Sequence, residues 1–309
     1  MYLITGGAGF IGSNLVEYLI NTGEAVRVLD DFSTGREENL EPFAGKFELV
    51  RGSLLDEATV AVAVKGCDYV LHQGAIPSVP RSIAAPQATN DANVRGTLNV
   101  QIAARDAGIK RLVMASSSSV YGDSPTLPKV ETMPTNPKSI YAASKLIGEH
   151  YARVFGDVFG LSVVCLRYFN VFGPRQDPHS EYAAVIPKFI RMIQRGESPT
   201  VHGDGGQTRD FTYIDNVVQA NVKAATAPGL TGATIINIAC GDRISILDLV
   251  DAINRILGTN VQPTFTPNRA GDVKHSLADI SLAADKIGYK PEVDLDEGLR
   301  RTIDSMGDE

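Results

Sequence analysis

Along the first half of the chain, short continuous apolar runs alternate with segments whose apolar residues recur at helical spacing. Tyr2-Leu3-Ile4-Thr5 is a strand, and Phe10 to Asn21 places Phe10, Ile11, Leu15 and Leu19 on one helical face. Ala25 to Asp30, Phe47 to Val50, Tyr69 to His72, Arg111 to Ala115 and Ser162 to Arg167 read as further strands. Helical patterns cover Gln87 to Ala107 and Ile140 to Phe155. Strands separated by helices predict a parallel sheet with helices on both faces, and uninterrupted apolar strands fit burial on both sides. The predicted fold class is therefore α/β, a Rossmann-type doubly wound parallel sheet.

Beyond about Asn170 the alternation loosens and proline and glycine thicken, as in Gly173-Pro174 and Gly205-Gly206. Helices still read over Ile186 to Gln194 and over Leu247 to Leu257, the latter capped by Ser245. Ile235 to Ile238 is a late apolar strand that can return to the main sheet. The expected organisation is a dinucleotide-binding domain over residues 1–172, with about 211–239 returning to it, and a smaller α/β substrate domain over 173–309.

Composition narrows this picture. The 309 residues, 43% hydrophobic and 21% charged, describe an ordinary globular chain with a sizeable core. A net charge of −7 with interspersed signs predicts no nucleic-acid partner, which would call for a basic stripe. No apolar run reaches membrane-spanning length, and Met1 to Thr5 reads as a strand rather than a signal peptide. Cys67, Cys165 and Cys240 lie far apart, fit no disulfide or zinc spacing and predict buried free thiols in a reducing cytoplasm. The five histidines lack ligand spacing, so no metal is expected.

Gly6, Gly9 and Gly12 follow the first strand and open the first helix. Gly6 allows the tight turn, Gly9 lets backbone approach a pyrophosphate, and Gly12 lets helix and strand pack closely. The helix N-terminus offers unpaired N–H groups and a positive dipole end to the phosphates. Asp30 closes the second strand 18 residues after Gly12, where a carboxylate accepts ribose hydroxyls and repels a 2′-phosphate. NAD is therefore expected over NADP, with Arg36 the one nearby cation able to soften that preference. A second chemical signal is Tyr141-Ala142-Ala143-Ser144-Lys145, which puts a phenol and an ammonium at i and i+4 on one helical face. A neighbouring cation favours the phenolate, making Tyr141 a candidate acid/base with Ser117 as a hydroxyl partner.

The glycine spacing, with Tyr-x-x-x-Lys after the fifth strand, resembles the extended short-chain dehydrogenase/reductase family over nearly the whole chain. The resemblance implies that Tyr141 and Lys145 are catalytic and that Lys145 also binds the nicotinamide ribose. It implies a cofactor site formed by Gly6, Gly9, Phe10, Ile11, Gly12, Asp30, Asp31, Ser33, Thr34 and Gly35. Ser53, Leu54, Gln73, Gly74, Ala75, Asn93, Ala115, Tyr168 and Val171 complete it. One departure is Gly52-Ser53-Leu54, where an aspartate usually follows the glycine, so a neutral hydroxyl replaces a charge.

Ser117-Ser118-Ser119 precedes Val120-Tyr121-Gly122. The family's sugar 4,6-dehydratases place carboxylates there for elimination, and its nucleotide-sugar decarboxylases keep a glutamate. Three hydroxyls instead resemble the nucleoside-diphosphate-sugar 4-epimerases, with Ser117 as the catalytic serine. The chemistry so implied interconverts UDP-glucose and UDP-galactose through a transient 4-keto sugar. In that branch Asn170 contacts the diphosphate, Thr200, Val201 and His202 clasp the uridine, and Val185, Lys188 and Gln207 join the UDP-sugar site. Arg209 and Arg269, with Asp272, match positions at which two guanidinium groups clamp a diphosphate. Ser276 falls where the branch carries either a tyrosine or a small residue beside the sugar C2 group, which implies room for an N-acetyl group. Alternatives are another epimerase or oxidoreductase, for instance on UDP-glucuronate with its carboxylate at Arg81 or Arg175, and a non-catalytic NAD-binding regulator. The resemblance also implies a homodimer through the helix near Asn93 to Ala107 and the helix bearing Tyr141.

Overall fold

A computed structural model describes residues 1–177, 185–267 and 274–307. Seven parallel strands form the central sheet: β1 (Tyr2–Thr5), β2 (Val26–Asp30), β3 (Glu48–Arg51), β4 (Tyr69–His72), β5 (Arg111–Ser117), β6 (Val163–Tyr168) and β7 (Ala233–Ile238). Their spatial order is β7-β6-β5-β4-β1-β2-β3. The chain winds outward from β1 to β3, returns to lay β4 beside β1, and winds the other way. The reversal lies between β1 and β4, where loops leaving the carboxyl ends of the two strands diverge and open a crevice. The late strand does rejoin the main sheet, with Ile235 opposite Cys165.

Period-two alternation divides the strand side chains between two faces. Tyr2, Ile4, Val28, Val113 and Leu166 pack on one, against the helix α1 (Phe10–Asn21) and the helix Ile214–Thr226. Leu3, Leu29, Val70, Leu112 and Cys165 pack on the other, against residues of the helices Glu57–Val64, Gly96–Ala107 and Ile140–Phe159. The first of these cores continues into Phe189, Leu249, Ile253 and Leu299, so the later part of the chain is welded to the sheet through shared apolar contacts. There the helix Ile246–Leu257 begins with a capping box between Ser245 and Asp248. Short ladders pair Thr264–Thr266 with Thr200–His202 and Ile244–Ser245 with Thr208–Arg209.

Three local expectations need correction. The long helix predicted over Gln87 to Ala107 contains a π-helical stretch, Asp91–Arg95. Its extra residue rotates Asn93 onto the loop after β4, where its carboxamide bonds both the N–H and the C=O of Ile76. The helices Glu57–Val64, Ile214–Thr226, Ser281–Ile287 and Leu295–Met306 were not foreseen. Cys67 and Cys165 are buried free thiols, but Cys240 is only half-buried. Among the described residues no helix is long and apolar enough to cross a membrane.

Candidate active site

A cavity of about 490 Å³ occupies the crevice at the sheet's reversal. Gly6 turns the chain out of β1 with φ +68° and packs so closely on the loop after β4 that a Cβ would lie 2.6 Å from the Gly74 Cα. A Cβ on Gly12 would sit 2.1 Å from the Gly6 carbonyl. Both positions therefore demand glycine, and together they aim the first turn of α1 into the cavity. Every residue expected at the cofactor lines this cavity except Asn93 and Val171. Asn93 spends its carboxamide on Ile76 and on the Ser144 hydroxyl, 3.1 Å away. Val171 pairs instead with Thr212 in a two-stranded ladder.

Asp30 is nearly buried, and one carboxylate oxygen accepts the Ala8 N–H while the other accepts that of Phe32, each at 2.8 Å. Burial raises its pKa above the ordinary value and these N–H donors pull it back in part. The carboxylate thus shapes the glycine turn as well as the cavity wall, with lone pairs left for hydroxyl donors. His72, beneath the same loops, bridges the Thr5 and Thr97 hydroxyls at 2.6 and 2.9 Å. Burial first, and the Lys145 charge second, hold its pKa at about 3, so it is a neutral structural ring.

At the inner end of the cavity the serine run meets the helix Ile140–Phe159, which Ser139 caps. Tyr141 and Lys145 both line the cavity, as does Ser116. Ser117 ends β5, nearly buried, and its hydroxyl accepts the Ser119 N–H at 3.2 Å, capping a short turn. The Ser117 hydroxyl also donates to the Ser119 hydroxyl at 3.1 Å. Lys145 Nζ donates to the Ala115 carbonyl at 3.0 Å and lies 6.0 Å from the centre of the Tyr141 ring. This changes the electrostatic expectation for the bare chain. Burial raises the Tyr141 pKa above its ordinary value, the Ser117 hydroxyl draws it back in part, and the ammonium is held by the Ala115 carbonyl. Burial also lowers Lys145 to about 8, leaving it mostly charged at neutral pH and easily discharged above it.

The floor beneath this group is polar and buried. Tyr168 exchanges hydrogen bonds with Asn221 at 2.8 and 3.1 Å and meets Gln73 at 3.3 Å. Glu149, one helical turn past Lys145, forms a bidentate pair with Arg167 at 2.7 and 2.8 Å and accepts the Ser116 hydroxyl.

The residues expected at a substrate gather on the other half. Asn170 donates to the Asp210 carbonyl at 2.8 Å and to the Ser276 hydroxyl at 3.1 Å. Thr200, Val201 and His202 form one ladder strand, and Gln207 donates to the His202 carbonyl at 2.9 Å. Arg209 bonds the carbonyls of Thr208 and Lys274. Val185 and Lys188 lie on the helix Val185–Gln194, with Lys188 exposed. Arg269 and Asp272 lie outside the described residues. Asp210, which follows Arg209 in the Gln-x-Arg-Asp-Phe run but had no role assigned from sequence, has a buried carboxylate that accepts the N–H groups of Cys240, Gly241 and Ala278. Burial outweighs those donors and lifts its pKa to about 7. Sequence reasoning missed Ser78 and Gln176 on the cavity wall.

A glycine-turned strand–helix junction, an acidic residue ending the second strand and a Tyr/Lys pair facing the same cavity define a dinucleotide-dependent enzyme that works on carbon-bound hydroxyls. Residues 2–239 match the NAD dependent epimerase/dehydratase family. The chain belongs to that family, and its cofactor is NAD. A UDP-glucose 4-epimerase of Mycolicibacterium smegmatis is 39% identical over 306 residues, 98% of this chain and 97% of that protein. The solved UDP-N-acetylglucosamine 4-epimerase of Methanobrevibacter ruminantium, in complex with UDP-N-acetylmuramic acid, is 42% identical with a TM-score of 0.94. The match covers 99% of this chain and 97% of that one. A UDP-glucuronic acid 4-epimerase of Bacillus cereus, solved with UDP-glucuronic acid and NAD, is 32% identical with a TM-score of 0.90, over 99% and 98% of the two chains.

Proposed function

We propose that the chain is an NAD-dependent UDP-sugar 4-epimerase that interconverts UDP-glucose and UDP-galactose and also accepts the N-acetylated pair. The observation that carries this is Tyr141 and Lys145 on the wall of the dinucleotide cavity, with Ser117 at the adjoining end of β5 and hydroxyls alone at positions 117 to 119. The 4-epimerase activity of relatives matched over nearly the whole chain supports it.

C4 of a hexose is not acidic, so inversion there needs oxidation to a ketone and reduction from the opposite face. NAD, when bound, would supply the hydride acceptor for the oxidation, the hydride donor for the reduction and a positive charge while oxidised. Tyr141 must act as the phenolate: with the cations of the occupied site offsetting the upward pull of burial on its pKa, it would take the O4 proton as the alcohol is oxidised and return it when the ketone is reduced. Ser117, within reach of the phenol, hydrogen-bonds O4 and relays that proton. Lys145, charged at neutral pH and fixed by the Ala115 carbonyl, orients the ribose and supplies a cation on the phenol's side of the helix. Elimination or decarboxylation would call for an added carboxyl group, which the serine run lacks. The diphosphate falls to Arg209 with Arg269, and the uridine to Thr200 through His202.

The N-acetyl reading rests on Ser276, whose small side chain turns to Asn170 and to the Asp210 N–H. A uronate carboxylate would need a cation; Arg81 and Arg175 both line the cavity, and Arg175 is already paired with Glu17 at 2.5 Å. Incubation with UDP-galactose, UDP-N-acetylgalactosamine and UDP-glucuronate separately, with NMR of the products, tests the assignment. Turnover of UDP-glucuronate alone would overturn it. We further propose a cytoplasmic homodimer seated on the exposed Val154, Val158 and Phe159 of the Tyr141 helix. Light scattering would return a monomer mass if that is wrong.

A further inference from the structure

Epimerisation imposes a demand that ordinary oxidation does not. The hydride removed from C4 must go back to the same sugar, so reduced cofactor that escapes between the two transfers strands a keto sugar. The structure carries a contact suited to that demand. Beyond β6 the chain passes Gly173 and Pro174 and lays Arg175, Gln176 and Asp177 along the wall of the dinucleotide cavity. Arg175 holds a left-handed backbone, φ 67°, unusual for a bulky side chain and kept only where surrounding contacts enforce it. Those contacts come from α1, the helix whose first turn faces the same cavity. Arg175 Nη2 donates to Asn14 Oδ1 at 2.6 Å and to Glu17 Oε2 at 2.5 Å. Asn14 in turn donates to the Pro174 carbonyl at 3.2 Å. Gln176 donates back to the Val171 carbonyl at 3.1 Å, which ties down the loop's far end.

We propose that this joint between α1 and the loop 174–177 is a clasp that retains the reduced cofactor between the two hydride transfers. Asn14, Glu17 and Arg175 are its positioning residues, and none of them takes part in the proton or hydride steps. The inference rests on the epimerase function proposed above. A charge-assisted pair is the right device, because it adds a strong directional contact with α1 to a loop otherwise tied back by the Gln176 carboxamide. Glu17 is nearly half-exposed and lies outside the cavity wall and the apolar core, so neutralising its carboxylate acts on the cavity only through Arg175.

The test uses the NAD-loaded parent, Glu17→Gln, Arg175→Ala and the double variant. UDP-galactose is added with an NADH-oxidising trap enzyme in excess. The trapped NADH reads escape, and product NMR reads epimerisation. The parent should epimerise with almost no trapped NADH. Both single variants should release NADH at least about tenfold faster, as expected for loss of a hydrogen bond to a charged group. The double variant should match Arg175→Ala within about twofold, because the two changes break one contact. If Glu17→Gln leaks no faster than the parent, the clasp is refuted, even if Arg175→Ala leaks, since the guanidinium would then act within the cavity. If Arg175→Ala fails to fold, Glu17→Gln alone decides. A parent that turns over no UDP-galactose defeats the epimerase function instead, a result distinct from a competent parent whose variants retain NADH.

Discussion

Glu149→Ala is the perturbation with the most explicit structural consequence. The Glu149 and Arg167 side chains are 0% and 1% exposed and meet through two bonds of 2.7 and 2.8 Å. The Arg167 guanidinium also lies 4.7 Å from the centre of the Tyr121 ring. Burial alone would lower the arginine's pKa, but its contact with Glu149 raises it, so it stays charged at any working pH. Removing the carboxylate therefore strands a cation that cannot neutralise itself. Loss of one partner of a buried pair costs about 3–5 kcal/mol, a large share of the roughly 5–15 kcal/mol that holds a typical domain folded. The Ser116 hydroxyl loses its 2.5 Å acceptor as well, adding about 1 kcal/mol. Glu149→Leu combined with Arg167→Met removes both charges and should recover most of the loss. The chain has no tryptophan, so urea unfolding is followed by far-UV circular dichroism. A single-variant cost under about 1 kcal/mol, or a double variant no more stable than the single, would refute the reasoning. A kinetic consequence follows in variants that stay folded. Ser116 precedes Ser117 and Glu149 stands one turn past Lys145, so kcat should fall more than KM rises as strand end and helix lose their mutual register.

Three further outcomes are expected. Tyr141→Phe should lower kcat by about 10²–10⁴ while leaving NAD bound, measured by turnover of UDP-galactose and by cofactor content after gel filtration. Because Lys145 sits at about 8, its charge disappears between roughly pH 7 and 9; kcat should fall on that alkaline limb, and Lys145→Arg should move the limb upward in a pH–rate profile. Ser276→Tyr should abolish turnover of UDP-N-acetylgalactosamine while sparing UDP-galactose; equal loss on both would remove Ser276 from specificity.

Much of the site was legible because its signals are local. The turn at Gly6, the close approach at Gly12 and the i, i+4 spacing of Tyr141 and Lys145 depend on few neighbours. What was missed depends on distant partners or on weak periodicity. Glu57–Val64 is built almost wholly of alanine, valine and threonine, so no polar stripe marks its exposed side. Leu295–Met306 is a different case: Leu295, Leu299, Ile303 and Met306 recur at helical spacing and pack on one core, so that helix was legible and was overlooked. Asn93 reads as a cofactor ligand until the π-helical stretch turns it toward Ile76. The lowering of the Tyr141 pKa by Lys145 followed from spacing, yet spacing says nothing of burial or of the Ala115 carbonyl that holds the ammonium.

Backbone strain locates the same site by an independent route. Among the described residues, four other than glycine adopt positive φ: Phe32, Ser78, Asn170 and Arg175. Ser78 and Arg175 line the cavity, Phe32 stands between two residues that do, and Asn170 follows Tyr168 by two positions. Such a conformation costs about 1–3 kcal/mol, less at Asn170, whose residue type tolerates it. In every case a polar contact pins the conformation. The Phe32 N–H meets Asp30, the Ser78 hydroxyl accepts from the Arg81 N–H, Asn170 reaches the Asp210 carbonyl, and Arg175 reaches Glu17. Three of the four contacts fix a loop at the carboxyl end of a sheet strand, β2, β4 or β6. The sheet and its two apolar faces must therefore supply the stability that these loops withdraw. Substitutions that relax the loops, such as Arg175→Gly, should raise stability in the backbone while loosening the cofactor's enclosure.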